Sequence, residues 1–223
     1  MLSSRTRHLE GELATLQYHE SLKAFDLVIE EMCKEKGFVR HNDTHYYHHL
    51  VDVAQHLLNH GIRDQDIITA ALLHDLVEDV EGYTVEWIAE HFNENVARMV
   101  ALVTKPRDFD KTNPAHFQEY LGPIYDEVGP CLIKTSDQTH NFFTLLNATD
   151  EKKLRKVHEM ETYYIPFFKN CRERYRRHKN IFFEAKTKIE YHLVQIRYQL
   201  EEKEALLREI QKLREQIQKS DNQ

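Results

Sequence analysis

Apolar positions recur three and four residues apart along almost the whole chain, the spacing that gathers them on one face of a helix. Leu22, Phe25, Ile29 and Met32 mark one such face, on a helix that the pattern carries to Gly37. A second helix is expected from about His48 through Val51, Ala54, Leu57 and Leu58 to Gly61. Asp64 then stands where an N-cap belongs, ahead of "IITAALLHDLVEDV". Thr84 offers the same cap to a helix carrying Val85, Ile88, Phe92, Val96 and Val100. Pro106 breaks the pattern, and the polar "KPRDFDKTNP" around it reads as a loop over a site. Helices resume through "AHFQEYLGPIYDEVG" and "CLIKTSDQTHNFFTLL", and again from about Asp150 to Tyr164. With only 6 glycines and 5 prolines as punctuation, and no internal repeat or low-complexity linker, the chain is expected to be all-α.

The texture changes near residue 180. Ile189, Leu193, Ile196, Leu200, Leu207, Ile210 and Ile217 follow an alternating four-then-three spacing among abundant Glu, Lys, Arg and Gln. That is a heptad seam, interrupted by Lys203 and Arg214. It fits either a coiled coil that pairs with a second copy or a partner helix, or a long amphipathic helix folded back on the domain. The expected division is a main domain over 1–180 and a heptad-bearing helix over 181–223, with a frayed end at "KSDNQ".

Composition narrows the classes. A net charge of -7 argues against nucleic-acid binding, which wants a basic face. No apolar run is long enough to cross a membrane, and "MLSSRTRHLEGELATL" is too polar for a secretory signal. Cys33, Cys131 and Cys171 have no C-x-x-C spacing and read as free thiols, which points to a reducing cytoplasm. The unusual count is 15 histidines.

One segment carries chemistry against its surroundings. "AALLHDLVEDV" takes up one histidine and three carboxylates within an apolar run. On a helix His74 and Glu78 are one turn apart, as are Asp75 and Asp79, so the four groups share neighbouring strips. Burying them together is costly unless protons or cations compensate. The plainer alternative is an exposed helix end. Two other segments bear on the choice: "HNDTHYYHHLVDVAQHL" places His49 just ahead of an apolar pattern, and "CLIKTSDQTHN" delivers Asp137 at the end of one. Histidine, then His-Asp, then a distant aspartate is the ligand order of an HD-type metal site. Two imidazoles and two carboxylates suit Mn²⁺, Fe²⁺ or Zn²⁺ better than Ca²⁺. Glu78 and Asp79, one turn beyond, are then free to orient a water or move a proton.

With these residues in place, the chain resembles the hydrolase domain of the RelA/SpoT family and the related small alarmone hydrolases, in order across about residues 20–167. "SLKAFDLVIEEM" resembles the opening helix, and Arg40 stands nine residues before His49, at the family spacing. "HLVDVA", "AALLHDLVEDV", "VARMVALVTK", "LIKTSDQTHNFFTL" and "METYYIPFF" resemble the segments that follow. After residue 180 only the heptad tail stands where long family members continue into a synthetase domain.

The resemblance implies an HD-domain helical bundle with a long C-terminal helix. It makes His49, His74, Asp75 and Asp137 ligands of Mn²⁺, with Fe²⁺ or Zn²⁺ as alternatives. Glu78 and Asp79 become catalytic, and Arg40 stacks on the purine. Asn141 and Thr144 contact nucleoside, and Lys105 and Lys134 contact phosphate or support those that do. The implied reaction is metal-dependent removal of the 3′-pyrophosphate of guanosine tetra- or pentaphosphate, giving GDP or GTP. Three positions depart from the family: Gln138, Phe143 and His41 stand where cations are usual. An adenosine analogue, another nucleotide such as a dNTP, or NADPH therefore stays open as substrate, as does a catalytically silent binding module. His41, His45 and His48 read as a polar loop, with His48 a second choice to His49, and His140 as a neighbour of the site.

Overall fold

The structure is a computed structural model that describes residues 2–40, 43–143, 145 and 148–221. Its helices are α1 (Ser4–Thr15), α2 (His19–Glu31), α3 (Tyr47–Asn59), α4 (Gln65–Leu73), α5 (Leu76–Asp79), α6 (Val85–His91), α7 (Glu94–Val103), α8 (Pro114–Tyr125), α9 (Val128–Phe143), α10 (Asp150–Glu159), α11 (Ile165–Arg174) and α12 (Lys179–Asp221). Among the described residues there is no strand, and one isolated antiparallel bridge pairs Val39 with His45.

Three boundaries differ from the sequence pattern. The helix expected from Thr84 through Val100 is interrupted after His91, and the Asn93 side chain, accepting from the Val96 amide, starts a separate α7. The α2 helix stops at Glu31, and a 3₁₀ turn, Lys34–Lys36, carries the chain to Gly37 at φ +90°, where a side chain would be strained. "AALLHDLVEDV" is two helices rather than one. Asp75, at φ -100° and ψ -4°, leaves the helical range between α4 and α5. Hydrophobic periodicity is blind to that break, because Leu76 stays as buried as Leu72 and Leu73 on the other side. The capping expectations hold: the Asp64 carboxylate accepts from the amides of Asp66 and Ile67, and the Thr84 hydroxyl from that of Trp87.

Helices α3, α4 and α9 pack on one another at the centre, with α2 against α4, α7 against α4 and α9, and α1 across α2 and α3. Leu50, Val53, Ala54 and Leu57 of α3, Ile68, Ala71 and Leu72 of α4 and Leu132 and Ile133 of α9 are all fully buried in one shared core. Gly129 lets α9 approach α7, since a Cβ there would lie 2.6 Å from the Met99 sulfur. A π-helical turn, Met160–Tyr164, joins α10 to α11. Cys131 of α9 and Cys171 of α11 are buried free thiols with sulfurs 3.3 Å apart.

The first part of the heptad seam follows the folded-back reading. Ile189, Leu193 and Ile196, with Phe182 and Ala185, are buried where α12 lies against α9 and α11. Beyond Tyr198 the same helix exposes Leu207, Ile210 and Ile217. No helix among the described residues is long and apolar enough to cross a membrane.

Candidate metal centre and cleft

The interior of this bundle holds polar atoms that its own side chains do not satisfy. His49 lies in the first turn of α3, His74 and Asp75 at the α4–α5 break, and Asp137 in the middle of α9. All of them converge. His49 Nε2 stands 3.2 Å from Asp137 Oδ1 and 3.6 Å from Asp75 Oδ2, and His74 Nε2 stands 3.3 Å from Asp75 Oδ2 and 3.7 Å from Asp137 Oδ1. Both Nε2 atoms are buried, and neither makes a hydrogen bond.

Their tautomers follow from their other nitrogens. His74 Nδ1 donates to the Ala71 carbonyl at 2.7 Å, which leaves the Nε2 lone pair facing the carboxylates once that nitrogen is deprotonated. His49 Nδ1 meets His140 Nδ1 at 2.7 Å, while His140 Nε2 lies 3.1 Å from Asp52 Oδ2. A carboxylate accepts only, so His140 donates to Asp52 and accepts from His49, whose Nε2 is again the lone pair. Arg5 of α1 closes the chain on Asp52 at 2.5 Å. Two inward lone pairs and two carboxylates make a donor set that a divalent cation fits.

Asp137 is fixed on all sides. Its Oδ2 accepts from Lys134 Nζ and Gln138 Nε2, each at 2.9 Å, and its Oδ1 accepts from Asn141 Nδ2 at 2.5 Å. Burial works against its charge, but Lys134 and the two imidazoles hold the carboxyl well below its ordinary range. Burial also holds His49 down to about 4. The same penalty on His74 is outweighed by Asp75 and Asp137, which lift it to about 9. Asp79, crowded by Asp75 and Glu78 as it loses water, rises to about 6. Tyr46 donates to Asp75 Oδ2 at 2.8 Å and steadies that carboxylate.

Beside the centre opens a cleft of about 370 Å³, continuous through Lys105, Phe109 and Lys111 with a second hollow that contains Glu78 and Asp79. Arg40, Lys105, Lys111, Lys152, Arg155 and Lys156 line it. Burial, and then Arg155, Arg40 and Lys111, push the Lys152 amine below its usual value; Lys156, also lowered by burial, pairs with the buried Glu159. Cations that depress one another in this way mark a wall suited to a polyanion. Arg40 donates to Asn141 Oδ1 at 3.0 Å and lies over the Tyr46 ring, so its guanidinium plane is held at the cleft mouth.

The HD domain profile matches residues 24–170, most of the chain. The chain belongs to the HD domain family. Among curated relatives, this HD protein is 31% identical over 136 residues to a guanosine-3′,5′-bis(diphosphate) 3′-pyrophosphohydrolase of Haemophilus influenzae, covering 59% of the chain and 20% of the relative. A protein of the same name from Aquifex aeolicus is 30% identical over 166 residues, covering 71% and 23%. The human protein MESH1, also so named, is 34% identical over 110 residues, covering 48% and 60%. The chain thus spans about a fifth of the bacterial relatives. A solved structure, described as a metazoan ortholog of SpoT that hydrolyses ppGpp, superposes with a TM-score of 0.59 at 20% identity, covering 77% of this chain and 93% of that one. It shares the HD fold.

The HD centre and its cleft gather most of the residues singled out from sequence, with four set apart. Lys134 is 2% exposed and spends its ammonium on Asp137, so it sits beneath the ligand rather than in the cleft wall. Thr144 and His41 lie outside the described residues. His48 turns away to the rings of Tyr47 and His45, which leaves His49 to the centre. Sequence reasoning passed over Tyr46, Asp52, Lys111, Lys152, Arg155 and Lys156. Asp52 did carry a signal, as a lone carboxylate one helical turn after His49 inside "LVDVA". The α10 cations carried none, since a basic helix face is ordinarily solvated.

Proposed function

We propose that this chain is a metal-dependent 3′-pyrophosphohydrolase of guanosine tetra- and pentaphosphate, with Mn²⁺ held by His49, His74, Asp75 and Asp137. The observation that carries the reading is the pair of orphaned imidazole nitrogens facing two carboxylates beside a cationic cleft. The cation would supply a nucleophilic water near neutral pH and offset charge on the departing pyrophosphate. The chain's own groups do the rest. Arg40, braced by Asn141 and Tyr46, offers a flat guanidinium to the purine. Lys105, Lys111, Lys152, Arg155 and Lys156 bind phosphate oxygens. Glu78, held by Lys105 through its backbone amide and ammonium, orients the water. Asp79, with its affinity for a proton raised to about 6, takes up and returns the proton.

The neutral residues at the departing positions fit this reading. Gln138 spends its amide on Asp137, and Phe143 packs edge-on to the His192 ring. The α10 lysines and arginine and Lys111 supply the positive charge that those positions lack, which favours a substrate with several phosphates. Free thiols suit a cytoplasmic setting. The exposed seam of α12, bearing both signs of charge, supports pairing with a second copy.

Incubating the chain with Mn²⁺ and ppGpp, pppGpp, ppApp, dGTP or NADPH, and separating the products by chromatography, tests the reading. Pyrophosphate release from the guanosine 3′-diphosphates alone is expected. Turnover of dGTP or NADPH instead moves the substrate class, and tight binding without turnover makes the chain a sensor.

A further inference from the structure

We propose a second cation site, built by His56, His60 and Glu184 and suited to Zn²⁺, that fastens the long helix α12 to α3. His56 lies two turns along α3 from His49, on the same strip, and His60 one turn further. A histidine pair four apart presents both rings to one point in space. Glu184 reaches that point from α12, and one ligand atom from each residue lies within 4.8 Å of the others.

One nitrogen of each ring is engaged outside the cluster. His60 Nδ1 donates to the His56 carbonyl at 2.9 Å, so Nε2 is the site of the lone pair in the neutral ring. That atom lies 3.0 Å from Glu184 Oε2, a contact bridged either by a second ring proton or by a metal ion in its place. His56 Nδ1 is engaged with the Ser136 hydroxyl at 2.9 Å, which leaves its Nε2 as the remaining donor atom. Burial keeps the His56 ring neutral, as a ligand must be.

The carboxylates of the two clusters correspond. Asp137 gives one oxygen to the imidazoles and the other to Lys134, and Glu184 gives one to His60 and the other to Lys188. A hollow of about 270 Å³ beside His56 leaves room for water on the open positions of the ion. Two imidazoles and one carboxylate with open positions are a zinc donor set. Because Ser136 precedes Asp137, an ion here would join α3, α9 and α12 directly behind the main centre.

The test uses the full chain, stripped with a chelator, dialysed against Zn²⁺ and assayed for metal per chain by mass spectrometry. Two equivalents are expected in the wild type and one in Glu184→Gln or His60→Ala. One is also expected in Asp75→Asn/Asp137→Asn, in which the main centre is disabled. In that double variant Zn²⁺ at roughly 100-fold over its Kd should raise Tm by about 5 °C, a shift that adding Glu184→Gln abolishes. Should the double variant fail to fold, the comparison of wild type with Glu184→Gln decides alone. One equivalent in the wild type, or two in both Glu184→Gln and His60→Ala, overturns the proposal. Neither result touches the pyrophosphohydrolase reading, which rests on turnover.

Discussion

Asp137 divides its two oxygens between opposite tasks, and single substitutions expose each. Its Oδ1 faces the imidazoles, while its Oδ2 neutralises Lys134, which is 2% exposed. Asp137→Ala should therefore abolish Mn²⁺ uptake and also strand a buried ammonium. The second effect costs about 3 kcal/mol, or a fall in Tm of roughly 6–12 °C in chelated protein. Lys134→Met in the same chain should recover most of that fall without recovering the metal. Glu78→Gln should do the reverse, leaving metal content and Tm unchanged while kcat drops by about 10² or more. His74 gives a pH signature. Its folded pKa of about 9 exceeds the ordinary value, so the protonated ring stabilises the metal-free fold below pH 6.5, a contribution lost as pH rises through 9. Metal must expel that proton. Chelated protein should lose Tm across this window, and titration calorimetry of Mn²⁺ at pH 7 in buffers of different ionisation enthalpy should report proton release.

At the scale of elements, the ligands are only as well placed as the helix ends that deliver them. The α4 helix begins on Asp64, whose carboxylate takes two backbone amides, and ends at the His74–Asp75 break. Asp64→Ala should cost about 1 kcal/mol and lower Tm by roughly 2–4 °C, read by thermal melting. Helical periodicity and capping residues made α3, α4, α9 and the start of α6 legible in the sequence, because burial of one face and satisfaction of end amides are local demands. The α4–α5 break was not legible, since Leu76 and Leu72 satisfy the same hydrophobic pattern with or without it. His49, His74, Asp75 and Asp137 stood out as candidate ligands because charge inside apolar helices needs a reason. Lys152, Arg155 and Lys156 did not, because only the packing of α10 beside the cleft separates them from a solvated face.

Across the whole molecule, α12 changes character along its length. Its first half is core, with Phe182, Ile189 and Ile196 buried, and its second half exposes Leu207, Ile210 and Ile217. One heptad pattern covers both halves, so sequence alone could not divide them. If the exposed half pairs with a second copy, Leu207→Lys/Ile210→Lys should halve the mass seen by light scattering and leave activity per chain intact. A mass unchanged by the substitutions would assign this seam to another partner or to none.

The thread from Arg5 through Asp52 and His140 to His49 makes the N-terminal helix an accessory of the metal centre. A fragment cut to the boundaries of the HD profile, 24–170, would retain His49, His74, Asp75 and Asp137 yet lose the guanidinium at the head of the relay. Asp52 would then face water on one side, and His49 would be free to tumble between tautomers. Excising the profile region alone should thus yield a fragment that loads metal poorly. His140→Phe in the intact chain mimics this injury, with an expected loss of about 10–100-fold in Mn²⁺ affinity by equilibrium dialysis.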